Sequence, residues 1–348
     1  MAQSALPSFL DGARNEQSGD PPNAAQPVEV AAIELPAADG VVLGGTLFTP
    51  SAFTASGRAR GTIIIHSATA VPQGYYRRFA QFAAQATGAR VLTYDYRGIG
   101  KSRPLSLRGF RATLTDWARL DAVAAHHFVT KRFPGEPFAV IGHSFGGQLV
   151  GLIDEPNAAT GAVMVGAQLA YYRDWPAKDH KKLGFVWKML VPAASALFGY
   201  MPGRFGLGED LPRGVARQWA EWCTHPDYLI SEHLDARERF ARFDAPTLFY
   251  SFTDDEYAPE GAVAHLLRRL RRAPLEHVRL APQERGASTI GHFGFFRPRF
   301  SGTLWPEAAS FLRDSLEGRE PHHTRSVSPP VTPSLREEVM EDLSYGRG

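Results

Sequence analysis

With 348 residues, 44% hydrophobic and 21% charged, the chain has an ordinary globular composition, with room for one large α/β domain plus an insertion or for two small domains. Its formal net charge of +2 gives no electrostatic case for nucleic acid or an anionic membrane as partner. The single cysteine, Cys223, excludes an internal disulfide framework and a cysteine-rich zinc site, and it fits a reducing, cytoplasmic compartment.

Residues 1–27 lack a basic start followed by an apolar core, so they do not form a secretory signal. Their Ala, Ser, Pro and Asn content predicts a disordered leader. No apolar stretch reaches the roughly 18 residues that a membrane-spanning helix needs. "VEVAAIEL" and "VVLGGTLFTP", separated by "PAADG", predict an antiparallel hairpin at a sheet edge. "GTIIIHSA" is a fully buried strand by its unbroken Ile run. The next helix, "YYRRFAQFAAQATG", places Tyr75, Phe79, Phe82 and Ala86 on one face and ends at Gly88. "ARVLTYDYRGIGKS" is a strand running into a glycine-punctuated loop, and "TLTDWARLDAVAAHHFVTKRF" is a long amphipathic helix stopped by Pro134 and Gly135.

The strand "FAVI" then leads to "GHSFGG", and "ATGAVMVGAQ" forms a further strand. From residue 170 to 243 the rhythm changes to an aromatic-rich stretch, helical in places and broken by Pro and Gly. It predicts a helical insertion over one edge of the sheet. Strand and helix alternation returns with "APTLFYSFTDDEYAP", "EGAVAHLLRRLRRA", "LEHVRLAP" and "GTLWPEAASFLRDSL". The expected organisation is therefore a leader 1–27, a first core part 28–169, the insertion 170–243, a second core part 244–318 and a disordered tail 319–348. "SPPVTP" in that tail forbids regular structure. The fold class is α/β, with a parallel sheet and crossover helices.

Three pieces carry chemistry. Gly142-His143-Ser144-Phe145-Gly146 stands between a predicted strand and a predicted helix, the context in which a strained turn presents a nucleophilic serine. A phosphate-binding loop is excluded because no Lys follows the glycines and the G-x-G-x-x-G spacing is absent. A serine hydroxyl needs a base, and the base needs an orienting acid. "SFTDDEYAPE" follows a later strand and offers Asp254 or Asp255, with Glu256 and Glu260 better suited to the dipole of the following helix. His292, between Gly291 and Phe293 in "GHFGFF", lies after the last strand, which gives the chain order Ser, Asp, His. His126 and His127 sit within a long helix as structural or solvated groups, and His225 is a candidate pocket residue in the insertion. His143 shapes the turn, and Cys223 packs as a core thiol. No metal site and no cofactor are expected.

"GHSFGG", "TYDYRGIGKSR", "DDEYAP" and "GHFGFF" together resemble the α/β-hydrolase superfamily over roughly residues 30–316. More narrowly, "SATAVPQGYYRRFAQFAAQATGARVLTYDYRGIGKSRP" and "WAEWCTHPDYL" are similar to a little-characterised bacterial group of predicted α/β hydrolases. The resemblance implies an α/β-hydrolase fold, a mainly parallel eight-stranded sheet flanked by helices with a helical lid. It also implies a serine nucleophile Ser144, an acid Asp255 and a base His292. Asp255 is preferred to Asp254 because the family acid often stands four positions before a proline, here Pro259. The oxyanion hole would use the N–H of Phe145 and one from "HSATAVPQG": Thr69 by the "VPQ" register, Ala68 by counting from His66. The expected function is a serine hydrolase cleaving an ester, thioester or amide of a largely apolar small molecule through an acyl-enzyme on Ser144. The alternatives are acyl transfer by the same three residues, or a non-catalytic scaffold that only binds. The partner is a small-molecule acyl substrate, with no nucleic acid and no membrane span.

Overall fold

The apolar runs become the strands of one sheet in the structure, a computed structural model that describes residues 28–51, 59–153, 158–206 and 208–320. The expected leader 1–27 lies outside the described residues, as does the tail from residue 321 onward. The strands are β1 Val28–Pro36, β2 Val42–Pro50, β3 Thr62–His66, β4 Arg90–Tyr94, β5 Phe138–His143, β6 Ala162–Val165, β7 Thr247–Phe252 and β8 Leu275–Leu280. Their spatial order is β1-β2-β4-β3-β5-β6-β7-β8. The β1–β2 hairpin and the β2–β4 pair are antiparallel, and every other pairing is parallel.

Both faces of this sheet are covered, so successive residues of one strand feed two separate cores. Ile64, Leu92, Val140, Met164 and Phe249 point to one side; Ile63, Ile65, Val91, Ile141 and Leu248 point to the other. Helix α1 (Arg77–Thr87) and the last helix (Leu304–Leu316) close the second side through Phe79, Ala83, Trp305 and Phe311. Helix α2, residues 114–132 with a π-helical stretch at Trp117–Ala122, closes the first through Trp117, Ala118, Ala125 and Val129.

The buried face of α1 is Phe79, Ala80, Ala83, Ala84 and Thr87, rotated from the expected Tyr75, Phe79, Phe82 and Ala86. A 3₁₀ turn at Gln73–Tyr76 takes Tyr75 out of the α-helix, which begins at Arg77, and within the helix the small side chains Ala80, Ala83 and Ala84 face the sheet. Gly88 ends the helix as expected, at φ 69°. Helical segments dominate residues 170–243, but a short ladder pairs Tyr200–Met201 with Leu211–Pro212. Among the described residues no helix is long and apolar enough to cross a membrane.

His126, one of the two helix histidines, is buried and meets His66 at the end of β3, Nε2 to Nε2 at 3.2 Å. Burial, aided by the charge of His127, pushes His126 down to about 4. An unfolded histidine titrates near 6.5, so between about pH 6.5 and 4 the unfolded chain binds a proton here that the folded chain refuses. This group's contribution is fully present above pH 6.5 and is lost as the pH falls. The variant His126→Leu is expected to flatten the acid limb of unfolding free energy against pH by up to about 1.4 kcal/mol per unit. Urea melts from pH 7 to 4.5 measure it, and equal slopes in both proteins would contradict it.

Candidate active site

The parallel strands end on one side of the sheet, and the loops there carry Ser144, Asp254, Asp255 and His292. Ser144 follows β5 directly, with φ 52° and ψ −116°, a conformation that costs a non-glycine residue about 1–3 kcal/mol. Its N–H donates to the carbonyl of Val165 on β6 at 2.9 Å. The turn exists because its flanks have no Cβ. A Cβ on Gly142 would lie 2.5 Å from the Gly147 Cα, and one on Gly146 would lie 2.1 Å from the His66 carbonyl oxygen. After the serine, a short helix, α3 (Phe145–Gln148), begins. The N–H groups of such a first turn have no carbonyl partner within the helix.

The two aspartates of "DDEY" divide the work. Asp255 Oδ2 accepts from His292 Nδ1 at 2.8 Å, while its Oδ1 accepts from the backbone N–H groups of Tyr257 and Ala258 at 2.8 and 2.9 Å. With Nδ1 bearing the proton, the His292 Nε2 lone pair is left for another partner. Asp254 instead holds the loop that delivers His292. It accepts from the Thr289 hydroxyl and from the amides of Ile290 and Gly291 at 2.8, 2.9 and 3.0 Å. Gly166 lies beneath the pair, where a Cβ would come within 3.1 Å of both Asp255 Oδ2 and His292 Nδ1.

The loop after β3 is fixed from two sides. Asp95, after β4, accepts from the Gln73 amide N–H at 2.7 Å and from its side chain at 2.8 Å. Burial pushes Asp95 up against the downward pull of those Gln73 bonds. Ala70 takes a left-handed φ of 61°, a conformation that favours glycine. Of the two candidate loop amides, Ala68 donates to the Tyr76 hydroxyl at 2.9 Å, so it is already committed. Both Ala68 and Thr69 line the cleft with Ser144.

That cleft has a volume of about 620 Å³ and is lined by Ser144, Asp255 and His292 together with Trp175, Trp187 and Trp219 of the 170–243 segment. Lys178, Asp179 and Lys182 also line it, so the insertion's contribution is amphipathic instead of purely apolar. His225 is exposed and accepts from the Asp227 amide, away from the cleft. Cys223 is buried, and burial pushes its thiol well above its ordinary value. The roles of Asp254 and of the Gln73–Asp95 pair escaped the sequence; the only signal was their place in otherwise unexplained polar loop positions.

A family model described as the alpha/beta hydrolase family matches residues 62–324. No curated protein matches the chain. Among solved structures, a monoacylglycerol lipase of Paleococcus ferrophilus is similar at 16% identity and a TM-score of 0.52, covering 78% of this chain and 99% of its own. A bacterial brefeldin A esterase, titled a homologue of human hormone-sensitive lipase, has 16% identity and a TM-score of 0.55, covering 87% of this chain and 81% of its own. The esterase domain of a Rhodothermus marinus protein has 17% identity and a TM-score of 0.51, covering 82% and 98%. At such identities the likeness establishes the fold.

Asp254→Ala removes the acceptor for three donors and is expected to lower unfolding free energy by about 1–3 kcal/mol. It is also expected to speed hydrogen exchange at the Ile290 and Gly291 amides. Unchanged exchange at those two amides would contradict the anchoring role.

Proposed function

This chain belongs to the alpha/beta hydrolase family, and from that membership we propose that it is a serine hydrolase cleaving an ester of a largely apolar small molecule through an acyl-enzyme on Ser144. The single observation that carries the proposal is the Asp255–His292 hydrogen bond of 2.8 Å, made within the cleft that Ser144 lines. That bond sets the tautomer a general base needs, with the proton on Nδ1 and the lone pair on Nε2. The strained backbone at Ser144 supports it further, because such strain gathers at working sites. The esterase and lipase titles of structures sharing this fold favour an ester over an amide.

In this mechanism Ser144 Oγ attacks the ester carbonyl carbon while its proton passes to His292 Nε2. The imidazolium is held by Asp255, and the carbonyl oxygen, now negative, is held by the N–H groups of Phe145 and Thr69. As the C–O bond breaks, His292 returns the proton to the departing alcohol. A water, deprotonated by His292, then attacks the acyl-enzyme and releases the acid. Ala68 drops out as an oxyanion donor because its N–H is spent on Tyr76. Segment 170–243 serves as the lid, its tryptophans providing apolar wall for the acyl or alcohol group.

With p-nitrophenyl esters, Ser144→Ala is expected to lower kcat by about 10³-fold or more. Lengthening the acyl chain should raise kcat/KM by up to about fourfold per methylene until the cleft is full, since each buried CH₂ contributes about 0.8 kcal/mol. Activity surviving in Ser144→Ala would refute the assignment.

A further inference from the structure

His143 and Tyr76, both fully buried, stand between the loop after β3 and the backbone of His292. His143 Nε2 lies 2.9 Å from the His292 carbonyl oxygen, and His143 Nδ1 lies 2.8 Å from the Tyr76 hydroxyl. That hydroxyl in turn accepts from the Ala68 amide at 2.9 Å. A carbonyl only accepts, so His143 Nε2 must carry the hydrogen. Burial pushes the imidazole well below its ordinary value, so the ring is neutral and Nδ1 is a bare lone pair. The Tyr76 hydroxyl must then donate to it. Only one proton order satisfies all three bonds: Ala68 N–H to Tyr76, Tyr76 O–H to His143, and His143 Nε2–H to the His292 carbonyl. Beside it, the Tyr75 hydroxyl donates to the carbonyl of Phe293, the residue after His292. The Tyr76 and His143 rings are clamped by Phe296, at 4.8 and 5.0 Å between centroids.

We propose that Tyr76 and His143 are positioning residues that hold the Thr69 amide and the His292 imidazole in register on either side of Ser144. The proposal rests on the serine hydrolase assignment. His143 is covalently joined to Ser144, so the chain of bonds passes through the residue next to the nucleophile. One end fixes the amide adjoining Thr69, and the other fixes the main chain of the base. Neither residue touches substrate: Tyr76 and His143 are absent from the cleft lining. Their effect is geometric, and displacement of reacting groups by about 1 Å costs on the order of 10²-fold in rate.

The test compares Tyr76→Phe, His143→Phe, the double variant and His143→Gln on a p-nitrophenyl ester, with folding checked by circular dichroism. Tyr76→Phe and His143→Phe should each lower kcat about 10- to 100-fold, with KM within about twofold of wild type. The double variant should lose little more than the worse single one, because both break the same chain. His143→Gln, whose amide restores a donor toward the His292 carbonyl, should recover part of the loss. Multiplicative losses, an unchanged kcat in Tyr76→Phe, or a loss expressed only in KM would each overturn the proposal. A second measurement needs no turnover. In ¹⁵N spectra, Tyr76→Phe should shift both the Ala68 amide and the His292 ring, and a stationary His292 ring would overturn the proposal. If the wild-type enzyme hydrolyses the ester while Tyr76→Phe matches it, the linkage falls and the hydrolase assignment stands. Wild-type inactivity with shifted spectra would strike the hydrolase assignment, leaving the linkage supported.

Discussion

The close approach of β5 to α3, over the residues between Gly142 and Gly147, is the constraint on which the cleft depends. A methyl group at Gly142 would sit 2.5 Å from the Gly147 Cα, one at Gly146 2.1 Å from the His66 carbonyl oxygen at the end of β3, and one at Gly147 2.5 Å from the Ala167 Cβ beyond β6. Inside that squeeze Ser144 has no regular conformation open to it and is held at φ 52°. The distortion is supported by the sheet: Ser144 N–H is anchored to Val165, and Phe145 packs on Tyr96 and Trp117. Because β3 and β6 flank β5, the same turn determines where the loop after β3 and the Gly166 bend must lie. Gly166 then leaves the space that the Asp255–His292 pair occupies.

Around this turn the polar groups are arranged in two tiers. Ser144, Asp255 and His292 face the cleft. Behind them, acceptors and donors fix loop backbones: Asp254 holds residues 289–291, and Asp95 holds Gln73. These supporting groups are carboxylates bonded to amides, which suits buried sites where an unmet donor costs about 1–3 kcal/mol. The cleft wall supplied by residues 170–243 mixes three tryptophans with Lys178, Asp179 and Lys182 and is therefore amphipathic.

The fold, and the candidate positions Ser144, Asp255 and His292, are legible because each carries a strong local signature. Unbroken Ile and Val runs report strands buried on both faces, glycines around Ser144 report close approach of neighbouring backbone, and Gly291 before His292 reports a left-handed turn. Legibility failed where the deciding contact is distant in sequence. Asp254 and Asp255 are adjacent and chemically alike, and bonds from His292, Tyr257 and Ala258 to one and from Thr289, Ile290 and Gly291 to the other tell them apart. The choice between Ala68 and Thr69 turns on Tyr76, eight residues on, whose hydroxyl folds back onto the Ala68 amide. On α1 the aromatic spacing misleads, because Tyr75 lies in a 3₁₀ turn and the alanines Ala80, Ala83 and Ala84 take the face against the sheet. From the sequence His143 only shapes the turn, because its partners lie on two other segments.

The central claim is that Ser144 is a nucleophile activated by His292, and covalent trapping tests it most directly. Incubation with a fluorophosphonate, followed by intact mass and peptide mapping, should place one phosphonyl group on the peptide carrying Ser144. Ser144→Ala should acquire none. An unlabelled wild-type protein, or equal labelling of Ser144→Ala, would contradict the account.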